Sequence, residues 1–350
     1  MIKTLHILQL LVIAFLSCGN LLAQCNSNVK LFPIYDASKD FNYNDRAGYI
    51  DSQGKQIIAF RFYYADDFYD GLAQIQLNRE GKSGFINEYG DVVIEPRFEI
   101  AYPFFEGLSA VYVGNGKRWG YIDKKGAIVI APRFEMATNF SEGLADVQFN
   151  GKRGYINQKG KFVIDPKFEQ ANRFSEGLAY VIFNGKGGYV DKKGNWAISP
   201  RFEQMKQITD ALYQPNFSEN LAVFVKNAFY GYIDKQGNIA ISPQFDGAES
   251  FSEGKAVVTI KDKSGYINKD GNLIISAKFN EARKFSEELA AVKIGSKWGF
   301  IDSSGKEAIP FLFDSVTNFT NGLSKVQTEN TFGYINKNGK YVWKAVKDES

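Results

Sequence analysis

A four-residue element, glycine followed by an aromatic, an aliphatic and Asp or Asn, is written nine times along this 350-residue chain. It begins at Gly48, Gly84, Gly120, Gly154, Gly188, Gly231, Gly265, Gly299 and Gly333, with spacings of 36, 36, 34, 34, 43, 34, 34 and 34 residues. A period of this length confines the chain to an array of small equivalent units, each completed by its neighbours because none can bury an apolar face alone. Fourteen residues after each of the first eight glycines sits a phenylalanine, at Phe62, Phe98, Phe134, Phe168, Phe202, Phe245, Phe279 and Phe313. A second follows six residues later at Phe68, Phe104, Phe140, Phe174, Phe251, Phe285 and Phe319, whereas in the fifth unit it is delayed to Phe217. The one sizeable break in the series is therefore an insertion spanning Gln204 to Asn216.

One unit reads as three short strands. Leu144 to Phe149 alternates, Asn150-Gly151 is a strong hairpin signal, and Arg153 to Ile156 returns. Asn157 to Gly160 then turns the chain into Phe162-Val163-Ile164, ahead of Pro166. The second turn starts with Asp or Asn and carries Gly three residues on, as in Asp51/Gly54, Asp123/Gly126 and Asp302/Gly305. The side-chain oxygen caps such a turn and glycine takes the left-handed position, which makes these acids structural. A small residue lies between the two phenylalanines in most units (Ala65, Ala101, Ala137, Ala171, Ala248, Ala282) and predicts close backbone approach between units joined by an irregular crossover. The fold expected is all-β: a tandem array of three-stranded antiparallel units, as an open β-solenoid or superhelix, with a closed β-propeller-like ring as the alternative. Nine markers and altered units at both ends favour the open form, since propellers commonly carry four to eight blades of four strands.

Aromatic residues make up 15% of the chain, a proportion that on its own suggests a platform for sugars or bases. The repeat accounts for many of them. The residue after each marker glycine and the two phenylalanine columns stand at fixed spacing, as core side chains do.

Residues 1–23 read as a signal peptide: Lys3 is the only charge before an apolar stretch from Leu8 to Leu16, and Ala23 offers a small residue for cleavage. The competing reading is a lipoprotein acylated at Cys18. The apolar stretch is short for a bilayer-spanning helix, so no membrane span is expected. Residues 24–47 are read as an N-terminal cap, in which Pro33, Tyr35, Asp36, Ser38 and Phe41 repeat the offsets of Pro132, Phe134, Glu135, Ala137 and Phe140 as a degenerate half unit. The array then runs over 48–343, and 344–350 form a charged tail.

Composition excludes several functions. The chain has 42 basic and 39 acidic residues, a net charge of +3 and no basic block, so nucleic acid is not an expected partner. His6, the single histidine, lies in the segment expected to be removed, leaving no imidazole for a catalytic triad, a general base or a zinc site. If cleavage follows Ala23, Cys25 is the one remaining cysteine and no internal disulfide can form. No calcium-type acidic loop occurs, and no metal or cofactor is expected.

Three charge columns accompany the repeat. Arg61, Arg97, Arg133, Lys167, Arg201 and Lys278 precede the first phenylalanine column, and Glu99, Glu135, Glu169, Glu203, Asp246 and Asp314 follow it. They are read as ladders, with a base on one unit facing an acid on the next. Asp70, Glu106, Glu142, Glu176, Glu219, Glu253 and Glu287 are read as solvated turn residues.

Lys117-Arg118-Trp119-Gly120-Tyr121-Ile122-Asp123 and Lys297-Trp298-Gly299-Phe300-Ile301-Asp302, with the turn glycine, proline and phenylalanine columns around them, resemble the signature of the WG, or KWG, repeat family. The resemblance covers about residues 48 to 343. The tryptophan is replaced by Ala47, Ser83, Arg153, Gly187, Tyr230, Ser264 and Phe332 in the other units. The family implies a bacterial, often exported repeat protein and supplies no catalytic residues.

A residue needed once for catalysis should break the repeat, and the insertion holds a single acid, Asp210. The function expected is thus a non-catalytic cell-envelope or secreted scaffold that binds an envelope protein or a surface polysaccharide. Met205, Ile208, Leu212 and Tyr213 of the insertion are candidate partner-binding residues. A carbohydrate-binding alternative uses tyrosines outside the columns, namely Tyr102, Tyr112, Tyr180 and Tyr213.

Overall fold

The computed structural model describes residues 30–36, 46–79, 81–113, 116, 118–203 and 215–346. It is all-β, with nine antiparallel sheets arranged in a ring: a nine-bladed β-propeller. The closed form expected as the alternative is the correct one, and the open solenoid is not. Seven sheets have four described strands; the first and sixth have three. Blade 4 is typical, with strands Met136–Ala137, Leu144–Phe149, Lys152–Asn157 and Phe162–Phe168 paired in chain order. The crossover beside the small column is therefore itself a strand, two residues long, pairing Ala137 with Val147. A blade also straddles two sequence units: the marker glycine lies on the third strand, so each unit as written contributes to two sheets.

The marker glycine is required by a bulge. Trp119 pairs with Phe134 and Tyr121 with Ile130, so extra residues of the fourth strand loop over Gly120. A Cβ on Gly120 would stand 2.6 Å from the Ile130 carbonyl oxygen, a backbone atom that cannot yield. Only glycine admits so close a strand.

Blades join through the columns. The aromatic after the glycine packs on the second-column phenylalanine of the next blade, as in Tyr121–Phe140, Tyr155–Phe174 and Tyr266–Phe285, with ring centroids 4.8–5.0 Å apart. The tyrosine hydroxyl continues past that contact and donates to a backbone carbonyl of the next blade: Tyr121 to Thr138, Tyr155 to Asn172, Tyr232 to Glu249. Both columns are core, as expected, with Phe68 and Phe202 half-buried.

The charge columns bind blades too, but not as acid–base ladders. Arg97, Arg133 and Arg201 donate to the carbonyls of Gly126, Gly160 and Gly237 on the following blade while lying over Phe98, Phe134 and Phe202. Glu135 and Glu169 accept amide hydrogen bonds from the hairpin turns of their own blades at Gly151 and Gly185. In the third column, each acid has positive φ and reaches forward: Glu142 accepts from the Gly177 amide and pairs with Lys192 at 3.0 Å, both on the next blade. Glu219 does the same with Gly254 and Lys269. These acids are inter-blade clasps rather than solvated turns.

Ring closure joins the first and ninth blades. Phe32–Tyr35, within the segment read as an N-terminal cap with a degenerate half unit, runs antiparallel to Ala47–Ile50 and takes the place of the second strand of the first blade. Tyr334 donates to the Pro33 carbonyl at 2.8 Å and its ring lies 5.5 Å from Phe32. Gly54 of the first blade packs so closely on the Val342 backbone that a Cβ would stand 1.9 Å from its oxygen.

Candidate functional site

The two residues after the small column are where regularity ends. They read Asp66-Asp67, Tyr102-Pro103, Thr138-Asn139, Asn172-Arg173, Pro215-Asn216, Glu249-Ser250, Arg283-Lys284 and Thr317-Asn318 in blades 2 to 9. In blades 3 to 5 and 7 to 9 the pair leaves the short first strand toward the tight turn that carries the clasp, whereas Asp66-Asp67 lie within the strand Tyr64–Tyr69. The clasps and the serine hydroxyls, such as Ser252 donating to the Phe285 carbonyl, hold these turns blade against blade. One concavity of about 350 Å³ is lined by Arg173, Asn216, Glu249, Ser250, Lys284 and Asn318, from five successive blades. A single small hollow can touch five of nine sectors only near the axis of the ring. A second hollow, of about 450 Å³, shares Arg173 and Asn216 and extends to Thr138, Asn139, Asp146 and Arg153 of blade 4.

The site carries uncommon electrostatics. Asp146 sits on the strand Leu144–Phe149, 2% exposed, in an ion pair with Arg153 and accepting from the Thr138 hydroxyl at 2.6 Å. Burial raises its carboxyl above the usual range, against the pull of Arg153 and the Thr138 hydrogen bond. Desolvation pushes Glu249 up to about 7, although Arg283 and Lys284 act to lower it. Across the ring, burial likewise raises Asp66 and Asp67 and lowers Lys325, which their charges act to raise. Asn139 and Asn318 each hold a buried side-chain oxygen with no hydrogen-bond partner, one at each hollow.

The position of the signature tryptophan supports this layer from beneath. Trp298 underlies the Arg283 guanidinium at 5.1 Å, Trp119 underlies Tyr102 at 4.8 Å, and Arg153 holds Asp146 and through it Thr138. The tryptophan column thus serves to position axial side chains where it is retained.

Of the residues singled out in the sequence, Tyr102 and Tyr112 flank Trp119 on blade 3, Tyr102 being 36% exposed. Tyr180 is buried against Tyr189 and offers no face for stacking. Met205, Ile208, Leu212 and Tyr213 lie outside the described residues, as do the signal segment, Cys18, Cys25 and most of the tail. Of the axial column, sequence reasoning reached Tyr102 alone, because variation in a short link reads as drift. Asp146, the single acid within its strand column, was the signal available. Among the described residues, no cluster of three or more His, Cys, Asp or Glu stands close enough to hold a metal, and no helix is long and apolar enough to cross a membrane.

The WG containing repeat matches in eight stretches, 48–81, 84–117, 119–152, 154–186, 188–214, 230–263, 265–298 and 298–331, and the chain belongs to that family. No curated protein matches it in sequence. Among solved structures, a eukaryotic initiation factor superposes with a TM-score of 0.62 at 9% identity, over 92% of this chain and 97% of that one, a likeness of fold alone. The dihydro-heme d1 dehydrogenase NirN aligns at 11% identity over 92% of this chain and 74% of its own, with a TM-score of 0.49.

Proposed function

We propose that this protein is a non-catalytic binding scaffold whose ligand docks on the axial face formed by the ends of the short first strands. The observation that carries this reading is the contrast between columns. Core aromatics, glycines and the three charge columns are engaged in packing or in hydrogen bonds within and between blades, whereas the axial pairs differ in charge and polarity from blade to blade and converge on shared hollows. A ring built from equal units gains an asymmetric surface only where its repeat lapses, and pockets with converging polar groups are the usual binding positions. Export, either by cleavage after Ala23 or as a lipoprotein acylated at Cys18, would place this face in the cell envelope or outside the cell, where a protein or surface polysaccharide is the partner. Capture from envelope extract tests it. Species retained by the wild type are expected to be lost with the double variant Arg173→Glu, Lys284→Glu and kept with Ile128→Asp on the exposed fourth strand. Retention by all three proteins would overturn the axial assignment, and specific turnover of an envelope substrate would overturn the non-catalytic one.

A second reading, carbohydrate binding through exposed tyrosine, is favoured by Tyr102, which shows an open face on the axial layer with Trp119 behind it. Replacing Tyr102 by alanine should then weaken glycan capture while leaving the fold intact.

A further inference from the structure

We infer that the hollow spanning blades 5 to 9 is a binding site for an acidic saccharide, with Arg173, Arg283 and Lys284 receiving the uronate carboxylate and the surrounding amides and hydroxyls receiving ring hydroxyls. This rests on the axial reading above and specifies its ligand. Three cations converge here beside one carboxylate, Glu249. The basic clasp residues elsewhere are already bound: the arginines before the first phenylalanine column to backbone carbonyls, Lys192 and Lys269 to glutamates. Arg283 is not spent on a carboxylate in that way. Its guanidinium lies over Trp298, which fixes its plane and leaves its edge for a planar anion. Arginine suits a carboxylate through paired parallel hydrogen bonds, which gives orientation as well as attraction.

The remainder of the lining favours a sugar over a bare anion. Asn216, Asn318 and Ser250 bring amides and a hydroxyl to the same hollow, and the Asn318 side-chain oxygen is buried there with no partner. The chemistry is that of a ligand with one charged group and several neutral hydroxyls.

Glu249 makes the site responsive to pH. It faces Arg283 and Lys284 on blade 8, shares the hollow with Arg173 on blade 5, and lies near the hydroxyls of Tyr232 on blade 6 and Tyr266 on its own blade. When ionised, it satisfies the cations and repels a carboxylate. When protonated, it leaves them free and offers a donor. With its titration at about 7, binding should weaken as pH rises from 6 to 8.

Titration calorimetry of the full chain with trigalacturonate, a neutral galactose trimer, hexaglutamate and inorganic phosphate tests the site. Trigalacturonate is expected to bind at least ten-fold more tightly than the other three and to weaken several-fold between pH 6 and 8. Glu249→Gln should abolish that pH dependence, and Arg283→Gln should cost at least ten-fold with an unchanged circular dichroism spectrum. Equal binding of hexaglutamate or phosphate would overturn the saccharide assignment, as would no binding of trigalacturonate. If trigalacturonate fails while Arg173→Glu, Lys284→Glu still abolishes capture from envelope extract, the axial scaffold stands and only the ligand class falls.

Discussion

The Tyr180 ring occupies the space that a side chain at position 187 would take: a Cβ on Gly187 would stand 2.2 Å from the Tyr180 hydroxyl and 2.6 Å from its ring. Positions 180 and 187 are equivalent to 110 and 119 on blade 3 and to 291 and 298 on blade 8, where alanine is paired with tryptophan. On blade 4 the same two positions hold Asp146 and Arg153, on blade 2 Gln74 donates to the Ser83 hydroxyl, and on blade 9 Lys325 lies over Phe332. The tryptophan of the repeat is thus one solution to filling a fixed volume shared by two strands.

Exchange of that solution is expected to work only in pairs. Gly187→Trp alone overfills the site and should cost about 1–3 kcal/mol. Adding Tyr180→Ala recreates the alanine–tryptophan arrangement and should recover most of the loss. A double-mutant cycle by urea denaturation measures the coupling, and additive effects would refute the shared volume.

Two glycines should respond differently to alanine. At Gly120 the new methyl meets the Ile130 carbonyl, so Gly120→Ala should destabilise by about 3 kcal/mol or more. At Gly143, where φ is +85° and a Cβ would meet no atom within 4 Å beyond its immediate chain neighbours, only backbone strain remains, about 1–2 kcal/mol. Thermal unfolding of the two variants checks the order.

Glu249 ties stability to pH. Its carboxyl titrates at about 7 in the fold and in the ordinary carboxylate range when unfolded, so between those values the folded chain holds the extra proton. Stability from this group therefore falls as pH rises from about 4.5 to 7 and levels off above. At pH 8, Glu249→Gln should gain stability, by at most about 3 kcal/mol, and it should gain little at pH 4. A variant equally stabilised at both values would refute the assignment.

The clasps act at the acid end. Partial desolvation opposes the ionisation of Glu142, but Lys192 and the Gly177 amide outweigh it and hold the carboxyl below its usual range, and Glu219 is held likewise by Lys269 and Gly254. A depressed carboxyl stabilises the fold above its unfolded value and loses that contribution as pH falls through the folded one. Glu142→Gln should cost about 0.5–1 kcal/mol at pH 7, less in molar salt and progressively less as pH falls below the ordinary carboxylate range. Denaturant midpoints across that range decide it.

Ring closure through Tyr334 carries a further cost. Tyr334→Phe removes the only donor described on the Pro33 carbonyl besides its strand, and about 1–2 kcal/mol should be lost, as for other buried acceptors. The same change at Tyr121, whose hydroxyl meets Thr138, gives the internal comparison.

Much of the architecture was legible because fixed spacing reports fixed contacts. The glycines, the phenylalanine columns and the Asp51-type turns are where the repeat placed them, with the Asp51 carboxylate accepting from the Gln53 and Lys55 amides. Closure was not legible, because periodicity gives the unit and not the angle between units. The short strand at Met136–Ala137 carries too few residues to show alternation, and a cyclic pattern does not mark where one sheet ends. The axial site escaped for a related reason: Glu249 and Arg283 stand one full repeat apart, 34 residues, and become neighbours only when successive blades pack side by side around the axis.

The bond between Tyr334 and Pro33 spans 301 residues. An open stack can lose its terminal units one at a time, since each leans on its neighbour alone. A closed circuit offers no such end. Breaking any seam exposes two faces at once, so unfolding is expected to proceed as a single cooperative event, and the chain gains its last seam only when its farthest parts meet. Loop closure over that distance makes the step slow, and the ring, once joined, resists loss from any one sector.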